Sequence, residues 1–310
     1  MTYELFCMLT QLFSEIYELK FDEIAADLRP HFLNLKLARR YAANFSSKIT
    51  QIRHHHAHLL LVILENDLDA KREYSGFYFD GTRYGADGSV QGGEILKARG
   101  KECERIYKFD EILLIGGEAS VKNIRQIAYA AILKYGLERE AEAFLAKFEP
   151  AKLKNLKILW SKRINCVQTS SLGRIFDAFA AVILGLDIVS YEGEAGMSLE
   201  ALYDANLNVC YEFEIKRDKI CFKNAFERVL RDDAKTAATG FIKGLVKLVA
   251  DVACAQDRDV LLAGGVFQNK ALLENVILTL KQKSKKYYIN KNFSANDSSI
   301  AIGQIAFALM

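Results

Sequence analysis

Four histidines stand within five consecutive positions in Gln51-Ile-Arg-His-His-His-Ala-His58, and the whole chain has only five. His54 and His58 are four residues apart, so on a helix both imidazoles leave one face, one turn apart. Two rings in that relation can hold one metal ion. The run Leu59-Leu-Leu-Val-Ile-Leu64 follows at once and places the cluster at the mouth of an apolar element. A polar helix start with incidental histidines is the plainer reading of one such pair, so residues elsewhere must decide between the two.

Four other stretches bear on that decision. Leu261-Leu-Ala-Gly-Gly-Val-Phe-Gln-Asn269 reads as a buried strand, two glycines and a helix start. Such a joint brings backbone N–H groups and a positive dipole end to one place, where phosphate can bind. It is a common joint, and alone it is weakly specific. In Phe79-Asp-Gly-Thr-Arg-Tyr-Gly85, Asp80 ends a strand beside a flexible turn, where it can reach a metal or phosphate or simply close an Asx-turn. In Ser170-Ser-Leu-Gly-Arg-Ile-Phe-Asp177, Asp177 lies four residues after Gly173 and could accept ribose hydroxyls or be an exposed helical aspartate. Asn296-Asp-Ser-Ser299 opens a terminal helix, with Asp297 either its N-cap or a further metal ligand.

These residues need a scaffold, and the periodicities supply one. Helical spacing runs over 3–17, and Pro30 opens a second helix to about Tyr41. A short strand over 49–53 leads into the histidine helix. Strands follow over 74–80 and 89–97, separated by glycine-rich turn residues 81–88, with further strand material over 102–114. Helical patterns cover 118–148, 174–184, 194–206 and 236–255, a strand hairpin covers 208–222, and the apolar strand 260–263 leads into a helix from about Phe267. A last strand at 287–290 and a helix over 297–309 complete an alternation that predicts an α/β protein with covered sheets.

The totals fit. At 310 residues the chain can bury a large core, with 51% apolar residues, 26% charged and a net charge of +3. That balance excludes a disordered tail and a dedicated nucleic-acid binder. The basic run Lys281-Gln-Lys-Ser-Lys-Lys286 reads as a solvated helix end. Six scattered cysteines without a Cys-x-x-Cys pair predict buried free thiols in a reducing compartment. With no signal peptide and no run long enough to span a bilayer, a cytoplasmic protein without a membrane partner is expected.

Read in order, His54-His-His-Ala-His58, Phe79-Asp-Gly-Thr82, Gly92-Gly-Glu94, Thr169-Ser-Ser171 with Gly173-Arg-Ile-Phe-Asp177, Tyr191-Glu-Gly-Glu-Ala195, Gly264-Gly-Val-Phe-Gln-Asn269 and Asn296-Asp297 resemble the hydrogenase-maturation carbamoyltransferase family, HypF. The likeness covers nearly the whole chain and lies in the family's C-terminal module, which is similar to the TsaD tRNA-modification proteins and to antibiotic O-carbamoyltransferases. It implies the two-lobed actin/sugar-kinase/chaperone ATPase (ASKHA) fold with nucleotide in the cleft. The first lobe would be incomplete, made of 1–70 joined by the terminal helix 297–310, and the second lobe would be 71–296.

Carried over by position, the resemblance implies a centre at His54, His58 and Asp80, with Asp297 completing a set of metal ligands suited to iron or zinc. Gly173 and Asp177 would hold the nucleoside, and Gly264, Gly265 and Asn269 would lie against the adenylate. A separate module would make carbamoyl-adenylate from carbamoyl phosphate and ATP. This one would pass the carbamoyl group to the C-terminal cysteine of the partner HypE, towards the cyanide ligands of the [NiFe] site. The nucleophile then belongs to the partner, and none of the six cysteines here need be catalytic.

Three departures stand out. The acylphosphatase-like, zinc-binding and adenylate-forming modules of full-length HypF have no counterpart here, nor do the first strands of the first lobe, and Arg83 replaces the family's usual glycine. A non-catalytic module that holds nucleotide or partner is the second reading, and a TsaD-like tRNA threonylcarbamoyl transferase the third. The Tyr191-Glu-Gly-Glu-Ala195 and Phe267-Gln-Asn269 residues fit HypF better, and the modest charge gives tRNA little to hold.

Overall fold

A computed structural model describes residues 3–28, 33–84 and 89–310 of the chain. The predicted helix start at Pro30 and the turn tip at 85–88 lie outside the described residues, as does the side chain of Arg83. The chain opens with α1 (Tyr3–Ile16), β1 (Glu23–Asp27), α2 (Leu33–Phe45), β2 (Lys48–Ile52) and α3 (His54–Glu65). Next come β3 (Tyr74–Tyr84), β4 (Val90–Arg99), β5 (Glu102–Phe109) and β6 (Ile112–Ile115), then α4 (Ile124–Tyr135), α5 (Glu142–Leu145) and α6 (Pro150–Lys162). They are followed by β7 (Cys166–Thr169), α7 (Leu172–Leu184), α8 (Glu194–Glu200), β8 (Glu214–Lys216), β9 (Lys219–Cys221), α9 (Lys223–Val229) and α10 (Ala234–Cys254). The chain closes with β10 (Asp259–Ala263), α11 (Lys270–Gln282), β11 (Tyr287–Tyr288) and α12 (Ile300–Leu309).

Among the described residues there are two sheets. β1 and β2 pair in parallel, with Asp27 opposite Ile52. The larger sheet is mixed, in the order β11-β10-β3-β4-β5-β9-β8, with β6 and β7 attached through β4. β10 is flanked on both sides by parallel strands and covered on both faces, which is why its sequence, Asp-Val-Leu-Leu-Ala, is apolar on both faces.

The two faces of this sheet carry two separate cores, sorted by strand alternation. Phe77 and Phe79 of β3, Val260 and Leu262 of β10 and Ile95 of β4 pack into the large core with α4, α7, α9, α10 and α11. Tyr74 and Tyr78, Leu261 and Ala263, and Leu96 and Ala98 point the other way, onto α3 and α12. Period two therefore also aims the next residue of the Tyr74, Gly76, Tyr78 series, Asp80, toward the side of the histidine helix. Gly76 lets α3 lie close, because a Cβ there would meet the Leu59 side chain.

Several expectations are corrected. β3 continues to Tyr84 instead of ending at Asp80, its register with β4 shifting between Phe79 and Arg83. The predicted helix over 118–148 is interrupted at Gly136, and a helix with Pro150 in its first turn follows it. The helix from Glu194 stops at Glu200, and the hairpin occupies only the end of 208–222. The cysteines are free but none is buried, and Cys254, on the solvent side of α10, is exposed. No described helix is long and apolar enough to cross a membrane.

Candidate metal centre

Within β3, Asp80 meets the histidines of the first turn of α3, and Asp297, in the turn that opens α12, meets the same two rings. Three stretches distant in sequence thus place His54, His58, Asp80 and Asp297 around one point. One ligand atom from each lies within 4.8 Å of all the others. The two Nε2 atoms are 3.2 Å apart, and Asp297 Oδ1 is 3.2 Å from that of His54 and 3.5 Å from that of His58. Asp80 Oδ2 completes the set at 3.8 and 3.7 Å from the same nitrogens.

These separations suit one small cation. Ligands about 2.1 Å from an ion lie about 3.4 Å apart in a tetrahedron and about 3.0 Å apart in an octahedron. The two nitrogens are too close to face each other with bare lone pairs, so a cation or proton must stand between them. The donor set, two imidazoles and two carboxylates, fits a borderline metal such as iron or zinc. Burial holds the His58 imidazole below its ordinary pKa, with Asp297 opposing, which keeps the neutral, ligating form dominant near pH 7.

Asp80 and His54 are held from outside the cluster. Asp80 divides its oxygens: Oδ1 accepts the Gly81 N–H at 2.8 Å and the Gly265 N–H at 3.3 Å, while Oδ2 accepts the Tyr78 hydroxyl at 2.8 Å. Oδ1 thus binds the N–H of the next residue in the strand while Oδ2 faces the imidazoles. Asp297 is not the N-cap: the Asn296 side chain accepts from Ser298 N–H, leaving the Asp297 carboxylate to the cluster. Nδ1 of His54 meets Asp27 Oδ2 at 3.0 Å. At the far end of α3, Glu65 accepts from Asn290 Nδ2 and from the backbone N–H groups of Lys291, Asn292 and Phe293, fastening the segment that leads to Asp297. His55 and His56 turn elsewhere, His56 binding the Gly100 carbonyl at 2.9 Å.

Of the residues expected around a nucleotide, Gly173, Gly264 and Gly265 lie against residues 79–81. Gly173, at the start of α7, lies against the backbone of Asp80 and Gly81, so a Cβ there would come within 3.0 Å of Gly81 Cα. Gly264 adopts φ +102° with Phe79 backbone pressed against it, a place no side chain fits. Its neighbour Gly265 spends its N–H on Asp80, and Asn269 caps α11 while donating to the Gly196 carbonyl at 3.1 Å. The donors of this joint are thus partly engaged within the protein: Lys270 N–H also binds Glu200.

Asp177 is buried, not an exposed helical aspartate, and faces the Arg174 guanidinium at 3.0 Å. Burial raises its carboxyl to about 7 despite Arg174, and Glu192 adds to the rise. Nε and one terminal nitrogen of Arg174 are buried without a hydrogen-bond acceptor.

Sequence reasoning missed Asp27, Tyr78 and Glu65 as supports. Only Tyr78 carried a signal, standing two residues before Asp80 on the same strand face.

The chain matches the family model for the HypF Kae1-like domain over residues 1–65, and that for the carbamoyltransferase Kae1-like domain, second subdomain, over 76–304. It is 31% identical to the carbamoyltransferase HypF of a Synechocystis strain, covering 94% of this chain and 40% of that one. A carbamoyltransferase HypF homolog of Cupriavidus necator is 28% identical, covering 91% of this chain and 76% of that protein. The crystal structure of full-length HypF in its phosphate- and nucleotide-bound form superposes with a TM-score of 0.89 at 28% identity, covering 99% of this chain and 49% of that one. A T. kodakarensis HypF structure shares the fold with a TM-score of 0.82 at 22% identity. The chain spans about two fifths of the length of the first curated relatives it matches.

Proposed function

This chain belongs to the HypF carbamoyltransferase family, and we propose that it is the module that moves a carbamoyl group from carbamoyl-adenylate to the C-terminal cysteine thiol of HypE. The observation that carries the reading is the convergence of His54, His58, Asp80 and Asp297 within 4.8 Å. In the transfer, the cysteine sulfur attacks the carbamoyl carbon, a C–S bond forms, and the C–O bond to the adenylate phosphate breaks. AMP leaves with the electron pair, and the thiol proton passes to solvent. A divalent iron or zinc ion held by the four residues would supply Lewis acidity at the carbamoyl or phosphate oxygen.

The chain's own residues do the rest. Asp80 joins the two halves of the site, one oxygen turned to the imidazoles and the other fastened to the glycine loop. Gly173 and Gly264 let their segments pack closely on the backbone of residues 79–81, beside the place proposed for the adenylate. Asp177, set in α7, is the proposed acceptor of ribose hydroxyls, and Asn269 fixes the start of α11. The neutral state of His58 keeps its lone pair available near pH 7.

The test supplies carbamoyl-adenylate, zinc or ferrous iron, and a peptide carrying the HypE C-terminus. A thiocarbamate on the peptide cysteine is expected, and His54→Ala with His58→Ala should remove metal retention and transfer together. Undiminished transfer by that double variant would overturn the proposal. A chain that binds nucleotide and peptide without transfer would instead be a binding module.

A further inference from the structure

Asp27 lies outside the four-residue cluster, yet its carboxylate reaches the one ring nitrogen of His54 that faces away from it. We propose that Asp27 is a positioning residue of the metal centre, holding a proton on Nδ1 of His54 so that Nε2 presents its lone pair to the ion. The inference rests on the metal-site reading above and deepens it.

The strand register makes the contact. β1 and β2 run parallel, and their last paired residues are Asp27 and Ile52, two positions before His54. Leu28 N–H continues the ladder to the Ile52 carbonyl at 3.0 Å, and the Gln51 side-chain amide donates to the Asp27 carbonyl at 3.3 Å. Asp27 is thereby fixed at the carboxyl end of its strand, beside the point where α3 begins. A slip of one residue would turn its side chain to the opposite face.

The chemistry then allows one useful tautomer. A neutral imidazole carries one proton and one lone pair. With the proton on Nδ1, Asp27 Oδ2 accepts it at 3.0 Å, and Nε2 turns its lone pair toward the point shared with His58, Asp80 and Asp297. With the proton on Nε2, a lone pair of Nδ1 would oppose the Asp27 carboxylate, and ligation would be blocked. The side chains of His54 and Asp27 are only 10% and 15% exposed, so solvent screens the interaction weakly. A carboxylate behind a ligating histidine fixes the ring's orientation and raises its basicity, and losing one costs about 10- to 100-fold in metal affinity.

The experiment uses the whole chain with zinc alone as the probe. Chelator competition is expected to show zinc bound about 10- to 100-fold more weakly by Asp27→Asn than by the parent. Asp27→Glu, which keeps the carboxylate, should recover most of the difference, as a purely steric role would not predict. Long-range nitrogen–proton NMR of the zinc-loaded parent should find His54 protonated at Nδ1 and metal-bound at Nε2. Equal zinc affinity in parent and Asp27→Asn, or a His54 protonated at Nε2, overturns this inference while leaving the metal site standing. A parent that binds no zinc overturns the metal reading and this inference with it.

Discussion

Replacing Gly303 with alanine separates the spacing of the proposed ligands from their identity, because Gly303 touches none of them. It lies in α12 where that helix crosses α3, and a Cβ there would stand 1.9 Å from the Ala57 carbonyl oxygen and 2.7 Å from its carbonyl carbon. Ala57 sits between His54 and His58 in the sequence. An ordinary contact is about 3.5 Å, so the helices must separate by roughly 1.5 Å. The obstruction is helix backbone, which cannot rotate away as a side chain would.

Two effects of opposite sign compete at this position. Alanine in place of glycine favours a helix by about 1 kcal/mol. Overpacking costs about 1–3 kcal/mol, and a backbone collision belongs at the upper end. The net expectation is a loss of about 1–2 kcal/mol, visible as a melting point lower by a few degrees. The larger effect falls on the site. Asp297 Oδ1 lies 3.2 and 3.5 Å from the two Nε2 atoms, and metal–ligand distances tolerate only about 0.2 Å. Zinc affinity by chelator competition should fall at least tenfold, the smaller loss seen when even an outer support is removed. A Gly303→Ala chain that melts higher than the parent and binds zinc equally would refute the claim that this crossing sets the geometry.

The remaining predictions concern the supports. Glu65→Gln removes the charge that gathers the N–H groups of 291–293, and should cost about 1–3 kcal/mol in denaturant unfolding while weakening zinc binding through Asp297. Those donors hold the Glu65 carboxyl below its ordinary value against the opposing effect of burial, so its contribution is present above pH 4.5 and is lost as pH falls through its folded value. Glu94 is the opposite case: burial raises it to about 7, although Ser170 and the N–H groups of Gly92 and Gly93 bind it. Between pH 4.5 and 7 the folded state keeps a proton that the unfolded state has lost, so stability falls as pH rises. Glu94→Gln should therefore gain on the parent in urea midpoint from pH 5 to 8, and parallel pH profiles would refute this.

The parts of the site legible in the sequence are those written in local spacing. His54 and His58 declare a shared face through their separation, and Val260-Leu-Leu-Ala263 declares a strand covered on both faces through an unbroken apolar run. Asp27 gave no such signal, because Glu-Ile-Ala-Ala-Asp is short and mostly half-buried, without the alternation that marks a strand. α6 escaped notice because only Leu156 is buried in it, although Pro150 stands where a first-turn proline is favoured. Gly303 reads as an unremarked glycine in an apolar helix, and its role exists only once α3 is packed against it. Asp297 shows how local chemistry can mislead: an aspartate at a helix start reads as a cap, but its neighbour Asn296 does the capping.

The four proposed ligands share a cost that explains why so many other residues attend them. Asp80 and Asp297 bring oxygens no more than 4.8 Å apart, and two carboxylate charges at that distance repel by about 3–4 kcal/mol at the effective dielectric of a protein. Hydrophobic packing cannot offset a repulsion at the point where it arises. The hydrogen bonds from Tyr78, Gly81 and Gly265 to Asp80 can, by drawing charge outward from the shared centre. A cation would remove the repulsion altogether, so the folded state should gain from binding one. Because Gly265 belongs to the loop proposed to face the adenylate, its bond to Asp80 makes that gain depend on the loop's position. Whatever moves the loop then alters ion binding, and by thermodynamic linkage the ion alters the loop to the same degree.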